Sequence, residues 1–289
     1  MSVSSQLGQL QRIDLPEGPI EYRERGAGAP VVFLHGIVAN GDLWRNVVGH
    51  LGDRFRCITP DWPLGGHRLA MRPDTDFSLF GLARLVDRFL EALDLTGVTL
   101  VANDTGGAIA QCVAAYHPDR LEALVLTPCD AFDNFLPPPV RHLQLTARNR
   151  ASVWLLGQAL RFRPVQRLPI AFGRLTERPI PADIMESYTA PLRRYATTRR
   201  DFATLVRAIS RRFTEEAARD LAGFTKPALI IWALERRRFF PVEHAHRLAA
   251  RLPNARVELI EDSGPFVTED QPVKVASLIA SFVSAPTDG

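Results

Sequence analysis

The sequence of 289 residues predicts a doubly wound α/β fold, a mostly parallel sheet carrying an inserted helical cap. Three observations predict it. Short apolar or β-branched runs recur at 31–35, 56–60, 98–103, 123–127, 228–233 and 256–260. Segments of helical period separate most of them, and strands alternating with amphipathic helices build parallel sheets. The alternation stops between Leu136 and Gly223, where the chain is rich in Pro and Arg and has no strand-like run.

Each element has a local reason. Met1 to Gln11 is Ser- and Gln-rich, with neither a basic nor an apolar region, so a signal peptide is not expected. The run at 31–35 leads into His35-Gly36, and a helix is expected to open near Gly41. Ser78 stands as an N-cap before Leu79, Leu82, Leu85, Val86, Phe89 and Leu90, which share one helix face. The last helix is expected to start at Asp270-Gln271-Pro272, with the Asp as cap and the Pro in the first turn. Leu136-Pro137-Pro138-Pro139 and the segment 223–227 flank the helical insertion. The expected organisation is therefore a core of 1–135 and 223–289 with a cap of 136–222.

Apolar residues make up 46% and charged residues 23%, which excludes a disordered chain and supports a sizeable core. No apolar run approaches the roughly 18 residues of a membrane span, so no membrane partner is expected. The three cysteines, Cys57, Cys112 and Cys129, sit in or beside apolar runs as buried free thiols do, and a reducing cytoplasm is the expected location. Between Asn134 and Leu221 there are 16 Arg against 7 acidic residues, within a chain whose net charge is only +3. These arginines come singly or in pairs with no binding motif between them, so nucleic acid is not expected as a partner and a small molecule is. No Gly-x-Gly-x-x-Gly follows the first strand, and no cofactor is implied. Glu243-His244-Ala245-His246 does not make a metal site, because i and i+2 on a helix do not share a face.

The sharpest signal is Val98-Thr99-Leu100-Val101-Ala102-Asn103-Asp104-Thr105-Gly106-Gly107 followed by an apolar helix. A strand, a polar residue, small residues and a helix form a nucleophile elbow, whose central residue is held in strained backbone geometry at a helix N-terminus. Asp104 is that residue. The bland alternative is an ordinary N-cap aspartate. In this architecture Ile37, after His35-Gly36, and Thr105 supply backbone N–H groups to a developing oxyanion or leaving group.

With Asp61-Trp62-Pro63-Leu64-Gly65-Gly66-His67 and Ser263-Gly264-Pro265-Phe266 added, the chain resembles the α/β-hydrolase superfamily. It is most similar to the branch with an aspartate nucleophile that includes epoxide hydrolases and haloalkane dehalogenases. The departures matter. The resemblance places a general-base His where Pro265 stands, and an acid near Arg236 or Arg237, with Glu235 the nearest carboxylate. It also implies halide-binding Asn and Trp where Ile37 and Thr105 stand. Asp130, beyond the run at 123–127, lies near where some relatives place their acid. His67 is a candidate base, His35 a loop brace beside the oxyanion site, and His142 a cap residue within reach. Trp154, Tyr188, Tyr195, Pro265 and Phe266 are candidate substrate contacts. Three functions stay open: hydrolysis through Asp104 with an unrecognised base, non-hydrolytic isomerase, lyase or cyclase chemistry using Asp104 as acid or base, and silent ligand binding.

Overall fold

The computed structural model describes residues 3–234 and 239–284. Eight strands form one sheet: β1 (Gln9–Leu15), β2 (Gly18–Arg25), β3 (Pro30–Leu34), β4 (Arg56–Pro60), β5 (Val98–Asp104), β6 (Leu121–Cys129), β7 (Ala228–Ala233) and β8 (Ala255–Ile260). Their order is β1-β2-β4-β3-β5-β6-β7-β8. From β4 to β8 every pairing is parallel, whereas β2 pairs antiparallel with both β1 and β4. The six expected strands are all present. The β1–β2 hairpin is an addition, and β1 gave no apolar signal because most of its residues are exposed at the sheet edge. Strands β5 and β7 are buried along nearly their whole length because helices cover both faces of the sheet.

On the core helices the apolar stripes face the sheet. These are α1 (Arg45–Leu51), α2 (Leu79–Ala92) and α3 (Thr105–Tyr116). Ser78 caps α2 as expected, its hydroxyl accepting from the Gly81 N–H at 3.1 Å. Between β6 and β7 lie α4 (His142–Thr146), α5 (Arg150–Ala159), α6 (Arg163–Gln166), α7 (Ala182–Arg194), α8 (Ala196–Ala208) and α9 (Arg211–Asp220). The last of these returns to the core, where Tyr116 donates to Asp220 at 2.7 Å and Phe80 meets Phe213 edge to face. After β7 come α10 (Val242–Ala249), α11 (Val267–Asp270) and α12 (Pro272–Val283).

Three buried carboxylates join the helices of this insertion to the core. Asp42 accepts from the Ser187 hydroxyl of α7 at 2.7 Å. Asp201 of α8 meets His67 Nε2 at 3.3 Å and accepts from the Met71 N–H at 3.0 Å. Asp270 accepts from the Gly264 and Glu177 N–H groups at 2.9 Å and from that of Arg178 at 3.0 Å. The last contact corrects the expectation for Asp270. Its carboxylate does not cap the final helix; α12 begins from Gln271, and Asp270 organises two loops instead.

Candidate active site

The site grows from the C-terminal ends of the central strands, where α/β sheets place their ligands. Strand β5 runs straight into α3, and Asp104 between them has φ +55° and ψ −133°. This backbone is strained for a residue with a side chain, and such strain collects at functional positions. Close packing keeps it in place. A Cβ on Gly106 would lie 2.6 Å from the His35 carbonyl oxygen, and one on Gly36 only 2.2 Å from Asp104 Oδ1. Glycine at both positions lets the β3 loop and the start of α3 close on the carboxyl group. Oδ1 then accepts from the Thr105 N–H at 2.8 Å and from the Ile37 N–H at 3.2 Å. Both predicted donors are therefore aimed at Asp104.

Burial pushes the Asp104 carboxyl up from its ordinary range, opposed by these same two N–H groups. Asp130 follows β6 and is 1% exposed. Its Oδ2 lies 2.9 Å from the Thr105 hydroxyl, and its Oδ1 has no hydrogen-bond partner among the described residues. Burial first, then the negative charge of Asp104, pushes Asp130 well above the usual carboxylate range.

Asp104, Asp130 and Ile37 line one cavity under the helical insertion. The remaining wall is almost wholly apolar: Leu136, Pro137, Val140, Leu143, Leu156, Leu160, Phe172 and Leu175 among others. His142 is the sole histidine in that wall among the described residues. Its Nδ1–H donates to the Pro139 carbonyl at 3.1 Å. The sequence held one pointer to this wall. The apolar run around Leu136 to Val140 lies just beyond Asp130, so it has to pass over the strand ends.

Other predicted residues lie elsewhere. His67 is buried at the junction with α8, its Nδ1 accepting from the Gly65 N–H at 3.3 Å and its Nε2 facing Asp201, and it does not line the Asp104 cavity. His35 is fully buried, its Nδ1–H donating to the Gly36 carbonyl and its Nε2 accepting from the Trp62 N–H, both at 2.9 Å. Burial pulls its pKa down to about 4, so it is a neutral brace for the loop that carries Ile37. Trp154 is 45% exposed and borders a surface groove with Arg150 and Arg199. Tyr188 is buried against Phe172 with its hydroxyl 3.5 Å from Glu269, and Tyr195 is at the surface. Pro265 and Phe266 stand behind the wall. The Pro265 carbonyl accepts from the Asn103 amide at 3.0 Å, and the Phe266 N–H donates to Leu175 at 2.7 Å. Glu235, Arg236 and Arg237 lie outside the described residues. No cluster of three or more potential metal ligands occurs among the described residues, and no helix there is long and apolar enough to cross a membrane.

A parallel sheet with a strained elbow between β5 and α3 defines a class of protein, and comparison with known sequences identifies it. The profile of the α/β-hydrolase fold matches residues 29–272, and the chain belongs to that family. It is 34% identical to a haloalkane dehalogenase of Mesorhizobium japonicum over 61% of this chain and 54% of that protein, so this match spans about half of the relative. It is 31% identical to a cis-3-alkyl-4-alkyloxetan-2-one decarboxylase of Xanthomonas campestris over 94% of this chain and 95% of the relative. Among solved structures, the haloalkane dehalogenase DatA of Agrobacterium tumefaciens superposes with a TM-score of 0.77 at 23% identity, covering 98% of this chain and 99% of that one. The chain is an enzyme-family member with hydrolases among its relatives.

Proposed function

We propose that this protein is an enzyme in which Asp104 attacks an electrophilic carbon of a small, mostly apolar organic substrate, in the manner of epoxide hydrolysis or dehalogenation. In this reading residues 136–222 are the cap that closes over the substrate. One observation carries the reading: the Asp104 carboxyl is fixed at a strained elbow, Oδ1 bound by two N–H groups, at the floor of an apolar cavity. Attack leaves the substrate esterified to Asp104. The Ile37 and Thr105 N–H groups then meet the oxyanion that forms when water adds to that ester. Pro265 bears no proton-accepting group, so water must be activated from another position.

Intact-protein mass spectrometry tests the reading. Incubated with terminal epoxides and alkyl bromides, the protein is expected to gain the mass of the reagent at Asp104 or to release product. Asp104→Asn is expected to lose both by at least about 10³-fold. Equal capture by that variant would sink the proposal.

A lyase is the second reading, and Pro265 is the observation that favours it. A strained lactone opened by Asp104 exposes a carboxylate. Loss of carbon dioxide then forms a C=C bond and expels the Asp104 carboxylate without any water-activating base. The relative in Xanthomonas campestris bears the name of a decarboxylase of such a ring.

A further inference from the structure

We propose that Asp130 carries the proton for this site, as acid to the leaving oxygen and then as base to the hydrolytic water. The substrate class this selects is strained cyclic ethers, epoxides above all, rather than haloalkanes. The inference rests on Asp104 being the nucleophile.

The geometry is particular. Asp130 is 1% exposed and lines the same cavity as Asp104. Its backbone N–H donates to the Asp104 carbonyl at 3.3 Å, and its main-chain carbonyl accepts from Gln111 at 2.9 Å, so its position relative to the elbow is fixed twice. One carboxyl oxygen is engaged by Thr105 and the other has no hydrogen-bond partner among the described residues. A buried carboxylate with a bare oxygen is costly, whereas a neutral carboxylic acid can leave one oxygen free and hold a proton to give. Asp104 from the elbow and His142 from the insertion line the same cavity, and no Arg or Lys lines it among the described residues.

The steps balance without any further reagent. An Asp104 oxygen forms a bond to one epoxide carbon, the ring C–O bond breaks, and the released oxygen takes the Asp130 proton to become a hydroxyl. Asp130 is now a carboxylate. It removes a proton from water as the water oxygen adds to the Asp104 ester, with the oxyanion held by the Ile37 and Thr105 N–H groups. Collapse leaves Asp104 as a carboxylic acid, whose proton passes to the departing alkoxide. Epoxide and water have become a diol, Asp104 is ionised and Asp130 is reprotonated. A nucleophilic carboxylate paired with an acid/base carboxyl is the division of labour retaining glycosidases use. A departing halide needs no proton, so Asp130 gives a haloalkane nothing in the first step. Ile37 and Thr105 likewise offer no side-chain N–H to a halide.

The experiment compares epoxyhexane with bromohexane, two probes of matched chain, by rapid-quench mass spectrometry of the Asp104 adduct. In Asp130→Asn the ratio of epoxide to bromide capture rates is expected to fall by about 100-fold, with slow release of whatever ester forms. An unaltered ratio overturns the inference. So does a stalled ester in His142→Phe beside normal turnover in Asp130→Asn, which would hand the base role to the cap histidine. Should Asp130→Asn not fold, the wild-type solvent deuterium isotope effect decides. It should be about 2 or more on epoxide capture and near unity on bromide capture, and equal values overturn the inference. No adduct and no product from either probe would instead remove the Asp104 reading beneath it.

Discussion

Two loops face each other across the sheet ends, the elbow around Asp104 and the Ser263 to Phe266 loop, and they have fared differently. At the elbow a carboxyl group sits on a strained backbone, with close glycine contacts and two N–H groups on its Oδ1. In the second loop the packing is equally complete. Gly264 is bonded to Asp270, Pro265 to Asn103 and Phe266 to Leu175. Yet the residue at the centre has no titratable group. A loop can therefore be held by a full set of backbone contacts and still present no proton-accepting side chain; under the proposed function the proton is then handled elsewhere.

The comparison can be broken first where the second loop is anchored. Glu269 forms a bidentate pair with Arg45, at 2.6 and 2.7 Å, and both side chains are under a tenth exposed. Glu269→Ala leaves a buried guanidinium unpaired, and urea unfolding is expected to show a loss of about 3–5 kcal/mol. A loss below about 1 kcal/mol would mean that the loop does not depend on this anchor. Next is the elbow itself. Gly106→Ala forces a methyl group against two backbone carbonyls that cannot turn away, which should cost about 1–3 kcal/mol and slow Asp104 capture as well. If stability falls while capture keeps its rate, the elbow tolerates distortion and the contrast between the loops weakens.

The smallest effect concerns pH. Asp104 is raised by burial, so between its ordinary and its folded value the folded state keeps a proton that the unfolded chain has released. Its contribution to stability is whole below the ordinary carboxylate pKa and is lost as pH rises through the folded value. Asp104→Asn should therefore raise the melting temperature by a few degrees near pH 7.5 and by less near pH 4.5. A larger gain in acid would reverse the sign of the argument.

Much of this was legible in the sequence. The six core strands, the Ser78 cap, the elbow and the N–H donors Ile37 and Thr105 are local patterns, in which a few neighbouring residues determine the geometry. Asp130 was legible as a carboxylate at a strand end, though not its unpartnered oxygen, which depends on packing from Thr105 and Gln111. The β1 strand was silent because an exposed edge needs no apolar alternation. The place of His67 is not legible locally, because its partner, Asp201, is 134 residues away in α8. The surroundings of Trp154, Tyr188 and Tyr195 in the insertion are hidden for a related reason. Helical period says that a face exists but not which neighbour it meets, and the cavity wall was built from Leu136, Val140 and Leu143 instead.

Asp42, Asp201 and Asp270 pin the helical insertion to the core at three separated points. Swinging it open as a rigid flap would break all three sets of buried bonds at once. Shifting single side chains between the helices breaks none of these bonds, so it is the less costly way to expose the cavity they roof.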